Sequence, residues 1–108
     1  MRMERLRAGD AQAHLVRALA ADAAAAGCTL AVEHATARAW SSATFTGEQQ
    51  RLSLALVPPA AARRWLEALA DADLPMRGHV AMPPAVDAVE ERDGSLAASV
   101  SVLTLREA

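Results

Sequence analysis

Gly47-Glu48-Gln49-Gln50-Arg51-Leu52-Ser53-Leu54-Ala55-Leu56-Val57-Pro58-Pro59 is the stretch on which the fold turns. Leu52, Leu54 and Leu56 recur at every second residue, the period of a strand that lays one face on a core. Gly47 to Gln50 reads as the turn before that strand. Pro58-Pro59 ends the strand, since proline has no backbone donor, and opens a helix, whose first turn tolerates it.

Upstream, Trp40 to Thr46 has strand composition and pairs with Arg51 to Val57 as a hairpin. Thr29 to Ala35 alternates, with Leu30 and Val32 on one face, and Thr36 to Ala39 continues or bends that strand. Before it, Asp10 to Ala26 reads as a helix with Asp10 as N-cap and Gly27 as C′ residue. Its apolar stripe, Leu15, Val16, Leu19, Ala23 and Ala26, is narrow.

Downstream of the prolines, Ala62, Trp65, Leu66 and Leu69 share one arc of a second helix, opposite Arg63, Arg64, Glu67 and Asp71. Leu74-Pro75 ends it. A second hairpin runs from Gly78 to Met82, is interrupted by Pro83-Pro84, and resumes from Val86 to Glu91. It turns at Asp93-Gly94 and returns from Ser95 to Leu105. The two prolines place its first arm at an edge or a bulge.

The expected fold is therefore α+β in the order αββαββ: a four-stranded antiparallel sheet with both helices on one face, in a single domain over residues 1–108. The expected core is Leu15, Leu19, Leu30, Val32, Phe45, Leu52, Leu54, Leu56, Trp65, Leu69, Val80, Val100 and Val102. Residues 10–57 and 58–106 echo each other: Leu15 to Leu19 aligns with Trp65 to Leu69 at an offset of 50, and Leu30 and Val32 fall on Val80 and Met82. The same element order occurs in the pterin-carbinolamine dehydratases. Their paired-histidine–proline motif has no counterpart here, so that activity is not carried over.

Of the 108 residues, 53% are hydrophobic, but 28 of them are alanine, and Leu, Val and Phe number only 13, 8 and 1. The core is thin. Lys, Asn, Ile and Tyr are absent and all 11 basic residues are arginine, the signature expected of a high-GC bacterial genome. A net charge of −2 argues against a general nucleic-acid binder. One cysteine, Cys28, excludes an internal disulfide and a multi-thiolate metal site. Ala25-Ala26-Gly27-Cys28 resembles the end of a lipoprotein signal. The stretch before it carries His14, Arg17 and Asp22, however, where such a signal needs about 7–15 uncharged apolar residues. Cys28 is read instead as a small thiol opening a strand. No stretch is long and apolar enough to span a bilayer, and the expected location is the cytoplasm.

Chemistry is sparsely signalled. Glu33 and His79, with Arg77 nearby, would form an acid–base group if the first strands of the two hairpins lay side by side. Trp40 with Ser42, Thr44 and Thr46 would make an aromatic and hydroxyl strip suited to a small ligand or peptide. Arg63 and Arg64 at a helix start could bind an anion, or Arg63 could simply pair with Glu67 one turn on. No nucleophile, metal-ligand spacing or phosphate loop accompanies these groups, so no cofactor and no metal are expected. The leading functional expectation is a non-enzymatic, homo-oligomeric interaction module. The alternative is a small-molecule-binding protein or enzyme at the Glu33/His79/Arg77 or Trp40 surface. The sheet face opposite the helices, with Ala31, Ala55, Ala81, Ala97, Ser99, Ser101, Leu103 and Leu105, is too poor in charge for a solvated face. It is expected to pair two copies as a homodimer.

Overall fold

The computed structural model describes the backbone of residues 2–107 and the side chains of residues 10–107. The elements are α1 (Arg2–Ala25), β1 (Thr29–Ser41), β2 (Thr46–Val57), α2 (Pro59–Ala68), β3 (His79–Ala81), β4 (Ala85–Arg92) and β5 (Ser95–Arg106), with a 3-10 turn at Leu69–Asp71. The class is α+β, with an antiparallel sheet. It has five strands rather than four, because Met82-Pro83-Pro84 divides the first arm of the second hairpin. Both pieces, β3 and β4, pair with the same edge of β5, in the order β1-β2-β5-β3 with β4 beside β5.

Alternation decides the layers. Leu52, Leu54 and Leu56 of β2 and Leu96, Ala98, Val100 and Val102 of β5 are buried in one cluster with Leu15 and Leu19 of α1, Trp65 and Leu66 of α2, and Leu69 of the 3-10 turn. Each fully buried leucine or valine contributes about 1.5–3 kcal/mol, so these few large side chains carry a core otherwise filled by alanine. The two helices are also tied directly, by the Trp65 indole N–H donating to Asp22 Oδ2 at 2.8 Å.

The helix ends differ in how well the sequence marks them. Gly27 at φ +88 closes α1, with Cys28 N–H donating to Ala23 O and Gly27 N–H to Ala24 O, each at 3.0 Å. This is a Schellman arrangement, which needs the left-handed residue that glycine supplies. Cys28 is buried immediately before β1. Asp10 is not an N-cap, because the helix already runs from Arg2. Its carboxylate instead meets His14 Nε2 one turn on, at 3.0 Å. Arg2, Arg5 and Arg7, the basic start that precedes the signal-like stretch ending at Cys28, have side chains outside the described residues. Pro58 caps α2 and Pro59 occupies its first turn, with the Val57–Pro58 peptide cis.

Three placements differ from expectation. The first turn lies at Ser42–Phe45, not Gly47–Gln50. There Ser42 Oγ accepts from Thr44 N–H at 3.3 Å and Phe45 N–H at 3.1 Å, a serine turn that outcompetes the extended chain. Phe45, at the tip, is 52% exposed rather than in the core. Val80, opposite Leu105, is 45% exposed, and Ala81, opposite the buried Thr104, takes the core side instead. Leu30 and Val32 pack only partly against the core, as befits the edge strand.

With Gln50 inside the strand, a polar residue must be buried, and it is fully satisfied. Its Nε2 donates to Thr104 Oγ1 and Glu48 Oε1, and its Oε1 accepts from Gln12 Nε2, at 3.2–3.3 Å. Thr104 Oγ1 donates to Glu48 O at 3.2 Å. Such a network holds without penalty only when every member is paired.

Candidate functional site

The sheet face turned away from the core is the site that the fold builds. Directly opposed residues share a face, so the ladders define rows across it. At one end Trp40 faces Gly47, Gly47 faces Leu105, and Leu105 faces Val80. The next row contains Arg38, Gln49 and Leu103, reached from the edge by Met82, whose N–H donates to Leu103 O at 2.8 Å. Then come Thr36, Arg51 and Ser101, followed by His34, Ser53, Ser99 and Ala88. The far end holds Ala31, Ala55, Ala97 and Glu90.

The rows fall into three zones. The first is mainly apolar, with Arg38 and Gln49 as its polar members. Trp40, Val80 and Met82 are 37%, 45% and 38% exposed, Leu103 and Leu105 are half-buried, and Phe45 borders a groove shared with Val80 and Leu105. Gly47 belongs here by necessity, since a Cβ at this position would overlap the Thr104 carbonyl oxygen.

The middle zone is polar. Both hairpins carry a β-bulge beside the His34–Ser53–Ser99–Ala88 row, on opposite sides of it, between Val32 and His34 in β1 and between Val86 and Ala88 in β4. A bulge adds a residue and bends its strand, and here the added residues are the acids Glu33 and Asp87. An open trough of about 540 Å³ lies between the two edges, with His34, Thr36, Arg51, Ser53, Asp87 and Ser99 in its lining. The Ser101 hydroxyl donates to Asp87 Oδ2. Arg51 makes no ion pair with any described residue.

The third zone is strapped. Arg92 Nη1 reaches both carboxylate oxygens of Glu33 at 3.3 Å, from one sheet edge to the other. Only alanines lie on the two central strands at the adjoining level, which leaves room for the pair.

The structure separates most of the residues singled out from sequence. Glu33 is on the open face with Arg92, whereas His79 is on the core side of β3, its ring centroid 6.3 Å from that of His14. The Glu33/His79/Arg77 group does not assemble, because β3 pairs with β5 and not with β1. Arg77 is exposed in the turn before β3, and its carbonyl lies 3.2 Å from His79 Nδ1. Trp40 reaches the open face, but the hydroxyl strip does not form, since the chain turns at Ser42. Arg63 pairs with Glu91 of β4 at 3.3 Å rather than with Glu67, and Arg64 is exposed. Ala31, Ala97, Ser99, Ser101, Leu103 and Leu105 all lie on the open face. Ala81 does not.

Sequence reasoning missed Asp87, Arg92 and the apolar roles of Val80 and Met82. Among the described residues no group of three His, Cys, Asp or Glu side chains could hold a metal ion, and no helix is long and apolar enough to cross a membrane. No protein-family model, curated protein or solved structure matches this chain.

Proposed function

We propose that the chain is a non-enzymatic interaction module that assembles with itself through the apolar end of its open sheet face. The observation that carries this reading is the row Trp40, Gly47, Leu105 and Val80, continued by Leu103 and Met82. An antiparallel sheet that meets water on one face alternates apolar-in and polar-out, whereas at this end β5 turns Leu103 and Leu105 to the open face and buries the polar Thr104 between them. Contiguous exposed apolar surface of this kind marks contact sites. The thin core points the same way, because a second copy adds buried area that the single domain lacks. The matched bulges of the two hairpins further support a chain built of two half-repeats, 10–57 and 58–106, with Val32 corresponding to Val86 rather than to Met82.

The polar trough favours a second reading, in which the open face holds a small molecule beside Arg51, His34 and Asp87. Native mass spectrometry of the protein isolated from its own cells separates the two. The first reading predicts a species of twice the 11.3 kDa chain mass with nothing else bound. A single chain carrying a small molecule would replace it with the second.

A further inference from the structure

We infer that two copies pack open face to open face about a two-fold axis running along the strands, midway between β2 and β5, so that Arg51 of each copy pairs with Asp87 of the other. The inference rests on the self-assembly reading above and specifies its geometry and partner: a second copy of this chain.

The zones of the face choose the axis. A face-to-face homodimer needs a two-fold lying in the contact plane, and over the whole face there are two principal directions for it. An axis across the strands would exchange the two ends of the face. It would lay the apolar Trp40 row on the Glu33–Arg92 strap, leaving a desolvated ion pair against hydrophobic side chains, a costly arrangement. An axis along the strands returns each row to its own level. The Trp40 row then meets its own counterpart and the polar trough meets the polar trough, while in the row between them Gln49 and Arg38 come over Leu103 and Met82 of the other copy. Sheets packed in this aligned way cross at about 30°, so the axis tilts from the strands by roughly half of that.

Ladder register then fixes which residues meet. A two-fold between β2 and β5 carries each β2 residue over its own β5 partner in the other copy. Gly47 lies opposite Leu105, so Leu105 of one copy projects onto the position where the other has no side chain. Trp40 and Val80 are the outer members of the same row, so each Trp40 covers the other copy's Val80. Arg51 lies opposite Ser101, and Ser101 is the residue whose hydroxyl holds Asp87. Neither the Arg51 guanidinium nor the Asp87 carboxylate has an ion-pair partner among the described residues, and the first arrives above the second twice per dimer. Charge complementarity and shape select the same axis. Four strands about 4.8 Å apart and four rows about 6.8 Å apart make a patch of roughly 500 Å² in projection, the scale of a modest dimer interface.

A charge swap followed by sedimentation equilibrium tests this. Arg51→Asp and Asp87→Arg each create two like-charge contacts, and each is expected to raise the dimer dissociation constant by at least about tenfold. The double variant restores opposite charges and is expected to return to within a few-fold of wild type. Circular dichroism at fixed concentration checks that the variants, all at exposed positions, remain folded. A dimer insensitive to both single variants, or single losses that the swap does not rescue, would overturn this geometry and leave self-assembly standing. A wild type that remains a single chain at every concentration would overturn both.

Discussion

Trp65→Phe should destabilise the fold by about 2–3 kcal/mol. Trp65 is 4% exposed, and its indole N–H holds the Asp22 carboxylate of α1 at 2.8 Å. Phenylalanine keeps an aromatic ring in the core but lacks the donor and part of the volume. A hydrogen bond to a charged group contributes roughly 1.5–3 kcal/mol. Because Asp22 retains some access to water, about 1–1.5 kcal/mol applies here. Removing a whole buried tryptophan costs about 3–5 kcal/mol, and losing the smaller half of the bicyclic ring costs about a third of that. At about 4 °C per kcal/mol for a domain of this size, the melting temperature should fall by roughly 8–12 °C. Denaturant unfolding at one fixed protein concentration measures it, since association would otherwise move the midpoint. A double-mutant cycle with Asp22→Ala isolates the hydrogen bond and should give a coupling of about 1 kcal/mol. A loss below about 0.5 kcal/mol, or full additivity, would refute the role given to this link between the helices.

Other consequences are as direct. Gly47→Ala should cost more than about 3 kcal/mol and lower the yield of folded protein, because β2 or β5 must move to admit a Cβ beside Thr104; thermal unfolding by circular dichroism checks it. Glu33→Gln should change unfolding free energy by less than about 1 kcal/mol, as both partners of the strap are substantially exposed, and a larger loss would mean that the pair shapes the sheet. Burial pushes the Cys28 thiol above its ordinary 9.0, and the Asp22 charge adds to the effect. The folded chain then holds its proton where the unfolded chain releases it. Stability from this group is complete below pH 9 and declines as pH rises through the folded value. Cys28→Ala should flatten that alkaline decline in a pH series of denaturant melts, and wild-type Cys28 should resist alkylation at pH 8 until the chain unfolds.

The sequence made the middle of the sheet legible because three leucines in β2 and the run Leu96, Ala98, Val100, Val102 in β5 keep a strict two-residue period over long central strands. Pro58-Pro59, Gly27 and Asp93-Gly94 marked boundaries because each imposes a backbone restriction of its own. What escaped were features without such a signal. A serine turn at Ser42 looks like strand composition, and Gln50 looks like turn composition until its three hydrogen-bond partners are known. β3 is three residues long, too short to show a period, so nothing in the sequence tells that Val80 faces outward and His79 inward. Glu33 and Asp87 flip the parity of their strands by bulging, and nothing in their identity announces it. For the candidate site, Trp40, Leu103 and Leu105 were legible as residues of the open face. The strap and the Arg51–Asp87 relation depend on which strands neighbour which, and that follows from the pairing of β3 and β4 with β5.

Light scattering at micromolar concentration, on the wild type and on Leu103→Glu, tests the account most directly. Leu103 lies in the apolar zone, half-buried on the free face, so glutamate there leaves the core intact but places a charge inside the contact, at a cost of several kcal/mol. The wild type should have twice the 11.3 kDa chain mass, and Leu103→Glu should have the mass of one folded chain. A wild type of single-chain mass, or a Leu103→Glu variant that remains paired, would contradict it.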